Sequence, residues 1–120
     1  MINPDKDKIE QIIKNRKISH TFYSGKSEVY RKFSGMEQCT YKDGQLSRLQ
    51  KELIAIGISV VIDCESCMEW HIKQAFDCGA GEAEIIEAIE VGIEMGGGPA
   101  TVSARFAMNV IDYYFNNLNR

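Results

Sequence analysis

Two apolar stripes at helical spacing, parted by one aspartate, constrain this chain more than any other feature. Leu46, Leu49, Leu53, Ile56 and Val60 recur at steps of three, four, three and four, the repeat that lines up one face of an α-helix. Asp63 ends that run, and Cys64, Cys67, Met68, His71, Ile72, Ala75 and Phe76 begin a second stripe at once. With so short a connection, helices over 45–62 and 64–78 must fold back on each other as an antiparallel pair. The β-branched end of the first, Ile54 to Ile62, would suit a buried strand if taken alone. The longer periodicity decides for helix.

Elsewhere the punctuation is equally helical. Asn3 before Pro4 reads as an N-cap with proline at the first helical position, and Ile9, Ile12, Ile13 and Arg16 follow at helical spacing, predicting a helix near 4–17. Turn formers at Ser24-Gly25 and Ser34-Gly35 bracket Val29, Tyr30 and Phe33, the spacing of a short helix. Gly79-Ala80-Gly81 caps the cysteine-bearing helix, and another runs over about 82–95 with Glu82 and Glu84 in its first turn, where the helix dipole favours acids. Gly96-Gly97-Gly98-Pro99 closes that helix and opens a last one over about 99–117. This glycine run follows a helix rather than a strand, so it is no dinucleotide loop. No segment alternates with period two, and no internal repeat is present. The expectation is an all-α fold in a single domain, 1–120, built around a central antiparallel helix pair. The final helix is apolar on most sides, and Phe106, Met108, Val110, Ile111, Tyr113 and Phe115 among others cannot all face one small core. That predicts contact with another subunit, the alternative being a central helix wrapped by its own chain.

At 120 residues the chain is one domain by the usual allowance of about 150 residues each. Its longest nearly uninterrupted apolar stretch, Leu53 to Ile62, falls well short of the roughly 20 residues that cross a bilayer. The N-terminus alternates Asp and Lys instead of showing a basic stretch before an apolar run, so a reducing cytoplasm is expected. Residues 1–33 hold eight Lys and Arg against four acids, and with a net charge of −3 overall the remainder carries −7. Those cations alternate with acids and have no aromatic series among them. They read as a solvated helix face and not as a nucleic-acid surface. Glu87, Glu90 and Glu94 read the same way.

Chemistry concentrates on the second stripe. Cys64, Cys67 and His71 fall at i, i+3 and i+7 and so project from one side of a helix as a single column. Cys64 stands at the helix start, where unpaired N–H groups and the dipole favour a thiolate. The two-residue spacer also permits a short disulfide. The midpoint of Glu52 and His71 falls beside the turn at Ile62-Asp63, which puts a carboxylate from one helix within about one helical turn in height of an imidazole on the other. The array is what thiol redox chemistry asks for: a carboxylate to orient the imidazole, an imidazole to take a thiol proton, and a second thiol to resolve. Two rival readings use the same residues. One is a pair of core cysteines beside a satisfied histidine; the other is a zinc site, for which Glu52 would be the fourth ligand because Cys78 lies about 10 Å of helix rise beyond His71. Cys39 and Cys78 read as ordinary thiols.

Glu52, eleven residues, then Cys64-Glu65-Ser66-Cys67-Met68-Glu69-Trp70-His71 resembles the E-x11-C-x-x-C-x3-H signature of AhpD-like alkyl hydroperoxidases, within the carboxymuconolactone decarboxylase superfamily. Lys42 to Ser47, Lys51 to Ala55 and Gly97 to Ala100 also look like that superfamily's single-domain members. The likeness covers about 28–115 and leaves 1–27 as an N-terminal helix and connection. It implies an AhpD-like all-α fold assembled as a homotrimer or homohexamer, and a thiol-dependent peroxidase activity needing no cofactor and no metal. The implied partners are a peroxide substrate and a dithiol reductant, either a small molecule or a protein-bound lipoyl group, with no nucleic acid and no membrane. By the same resemblance Cys67 attacks peroxide, Cys64 resolves, His71 is the base and Glu52 its orienter. AhpD proper has a histidine immediately before its second cysteine, where this chain has Ser66. The alternatives are a dithiol–disulfide exchange or redox-sensing protein, and a decarboxylase acting on a lactone carboxylate. The paired cysteines argue against the decarboxylase.

Overall fold

A computed structural model describes residues 2–116, folded into six helices with no strand among them. They are α1 (Lys6–Ser24), α2 (Glu28–Thr40), α3 (Arg48–Val61), α4 (Glu65–Asp77), α5 (Glu82–Gly96) and α6 (Gly98–Asn116). The expected all-α architecture is what forms. Position 117, the expected end of the last helix, lies outside the described residues.

Helices α3 to α6 build the body. α3 packs on both α4 and α5, and α6 closes the other side against α4 and α5. Ile56 and Val60 of α3, Met68 and Ile72 of α4, and Ile85 and Ile89 of α5 are fully buried between them. Each such side chain stabilises the fold by about 1.5–3 kcal/mol relative to leaving it in water. α3 starts on a capping box, in which Ser47 accepts from the Gln50 amide while the Gln50 side chain accepts from the Ser47 amide. Its junction with α4 is a tight turn through Asp63, the one described non-glycine residue with positive φ, at 55°. The Asp63 carboxylate accepts a hydrogen bond from Ser103 Oγ at 2.8 Å, which ties this turn to α6.

Four expectations are corrected. α1 runs on to Ser24 instead of stopping near 17, because its exposed last turns are held by α2, where Tyr23 stacks on Tyr30. Asn3 does not cap it: the Asn3 amide donates to the Asn109 carbonyl and to Asp112, and α1 begins only at Lys6. α2 passes straight through Ser34-Gly35 to Thr40, started by Ser27, which accepts from the Tyr30 amide.

The fourth correction concerns α6. It is the wrapped central helix, with Phe106, Ala107, Val110 and Ile111 buried and Met108, Tyr113 and Phe115 packed against the core. Of its large apolar side chains only Val102 is more than half exposed. The apolar surface lies instead on α2 and along α3 and α5. No described helix is long and apolar enough to cross a membrane.

Candidate functional site

The α3–α4 turn sets the site. Because Asp63 is left-handed, the chain enters α4 through Cys64 in extended backbone, as the N-cap. The Cys64 amide donates to the Ser59 carbonyl at 3.0 Å. Its Sγ takes the place of a capping oxygen and accepts from the Cys67 amide at 3.2 Å. One turn later Cys67 joins it in a disulfide, with the two Cα atoms 5.2 Å apart. Both residues are partly exposed, and so is Ser66 between them, the most open of the three.

His71, one further turn along, faces α3. Its Nδ1 lies 2.7 Å from Glu52 Oε1, so the structure brings together the carboxylate and imidazole whose levels the sequence matched. Glu52 is 1% exposed, and a carboxylate so placed needs partners to offset its lost hydration. It has two. Besides His71, Arg48 one turn earlier on α3 sets its Nε 3.6 Å from Oε2. With Nδ1–H donating to the carboxylate, the lone pair of the imidazole sits on Nε2, the nitrogen free to exchange a proton.

Sequence reasoning missed the residues around this pair. Arg48 donates to Gln74 of α4, which fixes the guanidinium across the two helices. An Arg four residues before a Glu on one helix is a readable signal for such a pair. Tyr41, just past α2, lays its ring 5.2 Å from the His71 ring, and nothing in its loop-like surroundings marks it. Burial, with Glu52 and then Glu37 nearby, raises the Tyr41 pKa above the usual phenol value. It remains a neutral wall of the site. A cavity of about 430 Å³ opens beside Glu52, lined among others by Tyr41, Arg48, Trp70 and Gln74.

A second buried carboxylate on α4 was also missed. Glu69 is fully buried, ion-paired to Arg16 of α1, and accepts the Tyr114 hydroxyl of α6. Arg16 also lies over the Trp70 ring, 4.7 Å from its centre. The rule that singled out Glu52, an acid on an apolar face needing a partner, applies equally to Glu69 between Met68 and Ile72. Cys39 is exposed and Cys78 partly so, both as free thiols outside the array. Among the described residues no group of three or more His, Cys, Asp and Glu side chains is arranged to hold a metal ion.

Comparison with known proteins places this chain among relatives. The sequence pattern of the carboxymuconolactone decarboxylase family matches residues 27–109. An uncharacterised Cupriavidus necator protein is 36% identical over 87 residues, 72% of this chain and 74% of its own length. An uncharacterised protein of the Paracoccus denitrificans cox locus is 38% identical over 80 residues, 67% of this chain and 72% of its own. Among solved structures, a carboxymuconolactone decarboxylase family protein of Legionella pneumophila superposes with a TM-score of 0.79 at 28% identity, over 90% of this chain and 98% of that one. A Thermotoga maritima family protein reaches 0.84 at 22% identity, over 91% and 93%, a likeness of fold.

Proposed function

The chain belongs to the carboxymuconolactone decarboxylase family, and from that premise we propose that it is a thiol-dependent peroxidase of the AhpD-like kind. The observation that carries this reading is the disulfide at the start of α4 with His71 one turn on, held at 2.7 Å by a buried Glu52.

In the reduced chain His71 Nε2 takes the proton of Cys67, aided by the dipole at the α4 N-terminus. The Cys67 thiolate attacks the terminal oxygen of a hydroperoxide. The O–O bond breaks, the alkoxide leaves with a proton returned through His71, and Cys67 becomes a sulfenic acid. Cys64 then attacks that sulfur, releasing water and forming the disulfide. A dithiol reductant restores both thiols by exchange, itself becoming a disulfide. Glu52 holds the imidazole in the tautomer this sequence requires. Ser66 cannot act as a base near neutral pH, so His71 carries the proton traffic alone.

One observation favours a second reading, dithiol–disulfide exchange without peroxide turnover. Cys64 is the sulfur that accepts a backbone N–H, which favours its thiolate and makes it a good leaving group in exchange. Peroxide consumption by the reduced protein, with dihydrolipoamide as electron donor, separates the two. The peroxidase reading expects sustained turnover, no turnover in Cys67→Ser, and a dimedone-trapped sulfenic acid on Cys67 in Cys64→Ser. Glu52→Gln should slow the peroxide step, within the factor of about 10²–10⁴ that a positioned acid–base group supplies. Turnover retained in Cys67→Ser removes that residue as nucleophile, and exchange without peroxide loss leaves the second reading.

A further inference from the structure

Glu52 divides its two oxygens between partners of different kinds. Oε1 meets the His71 imidazole at 2.7 Å, and Oε2 faces the Arg48 guanidinium at 3.6 Å. An arginine 46% exposed is ordinarily a weak partner, because solvent screens it and its long side chain must be immobilised. Three observations set this one apart. The carboxylate it faces is 1% exposed, so solvent screens the pair far less than a surface pair. The guanidinium also donates to the side chain of Gln74 on α4, itself buried, so the fork is anchored on both neighbouring helices. Arg48 moreover opens α3, whose first turn holds no acid. A cation there opposes the helix dipole, a local conflict of the sort that folded chains keep at functional sites.

Few other charges reach the imidazole. From the end of α2 the Tyr41 ring lies 5.2 Å from His71, with Glu37 close to that phenol. Lys42 and Asp43 of the following loop line the cavity beside Glu52, and Asp43 accepts the Arg48 amide at 2.7 Å. On α4 the two cysteines are joined and uncharged, Glu65 is paired with Lys8 of α1, and the buried Glu69 is answered by Arg16. The charge that decides the state of His71 is therefore Glu52, and the cation set against Glu52 is Arg48. Take Arg48 away, and a buried carboxylate is left facing the imidazole alone, an arrangement that favours a second proton on the ring.

We propose that Arg48, anchored by Gln74, is a positioning residue of this site: it compensates the Glu52 charge, so that Glu52 orients His71 without holding the ring in its doubly protonated form. The Nε2 lone pair then stays free at neutral pH. Its purpose rests on the proposed function, since only a neutral imidazole can take the proton of Cys67. The charge balance itself is present in the disulfide form too.

NMR titration of the ring protons in the disulfide form tests this, because neither bridged sulfur titrates and the chain has two histidines. His20, on α1 and bonded to Tyr30, serves as the internal reference. In Arg48→Met the pH midpoint of the His71 ring should rise by about one pH unit, the lower end of what a charge a few ångströms away does, while that of His20 stays put. Arg48→Lys keeps the charge and should bring His71 back towards the native midpoint, a rescue that a merely structural role would not give. Gln74→Leu leaves Arg48 charged but unanchored and should move the midpoint the same way by a smaller amount. It also stands in for Arg48→Met should that variant fail to fold. A His71 midpoint that stays native in Arg48→Met or Gln74→Leu, or that Arg48→Lys moves as far as Arg48→Met does, overturns the proposal. No peroxide enters the measurement, so the two readings fail separately: a chain with the expected shifts and no peroxide turnover loses the peroxidase reading alone, and one with turnover and unmoved midpoints loses the role of Arg48 alone.

Discussion

Glu69 shows how much one buried side chain decides. Arg16, Tyr114 and Glu69 come from α1, α6 and α4, so a single carboxylate joins three helices. Burial first, then the hydrogen bond to Glu69 and that acid's charge, push the Tyr114 pKa far above the usual phenol value. The folded chain therefore holds this proton to higher pH than the unfolded chain, which releases it near pH 10. Stability from this group is complete below about pH 10 and falls as pH rises further. Tyr114→Phe should cost about 1.5–3 kcal/mol at neutral pH, the worth of a hydrogen bond to a charged group. The gap between variant and native chain should narrow above about pH 10 in urea titrations at stepped pH. Parallel curves across that range would remove Tyr114 from the account. Glu52 was legible because its partner lay at a countable distance from a known turn. Glu69 was not, since its partners are 45 and 53 residues away on helices whose packing no local pattern encodes.

At the scale of helices, α3 and α4 were readable because both stripes and the turn between them are local. The pairing of α3 with α5 was not, and it rests on what is missing at two positions. A Cβ at Gly92 would come within 2.6 Å of the Gly57 carbonyl oxygen, and one at Gly57 within 3.1 Å of the Ala88 carbonyl oxygen. Backbone atoms cannot swing aside as a long side chain would. Gly92→Ala should therefore force α5 off α3 and destabilise by about 1–3 kcal/mol, the range for overpacking a tight contact, despite alanine's better helix propensity. Thermal melts of Gly92→Ala beside Gly35→Ala make the comparison, because nothing lies within 4 Å of a Cβ at Gly35. The second change should be neutral or stabilising. Similar losses in both would mean the helices are not closely crossed there. The run of α2 through Gly35 escaped the sequence reading for the opposite reason: a serine–glycine pair reads as a turn unless a neighbouring helix supports it, and α1 does.

Across the whole molecule, body and arm differ in how they are held. α3 to α6 share one buried core, whereas α2 rests on α1, and α1 is fastened by Ile9, Arg16 and the Asn3 bonds to α6. Local opening should follow that division, since segments with few buried contacts open at the lowest free energy. Hydrogen exchange should find α2 amides exchanging well before those of α3, α4 and α6. Uniform protection across all six helices would contradict the division. The short bridge at the head of α4 fits the same economy. Its Cα atoms stand 5.2 Å apart, close to the spacing any helix gives residues three apart. The peroxidase proposed above would thus make and break this bond on backbone already spaced for it.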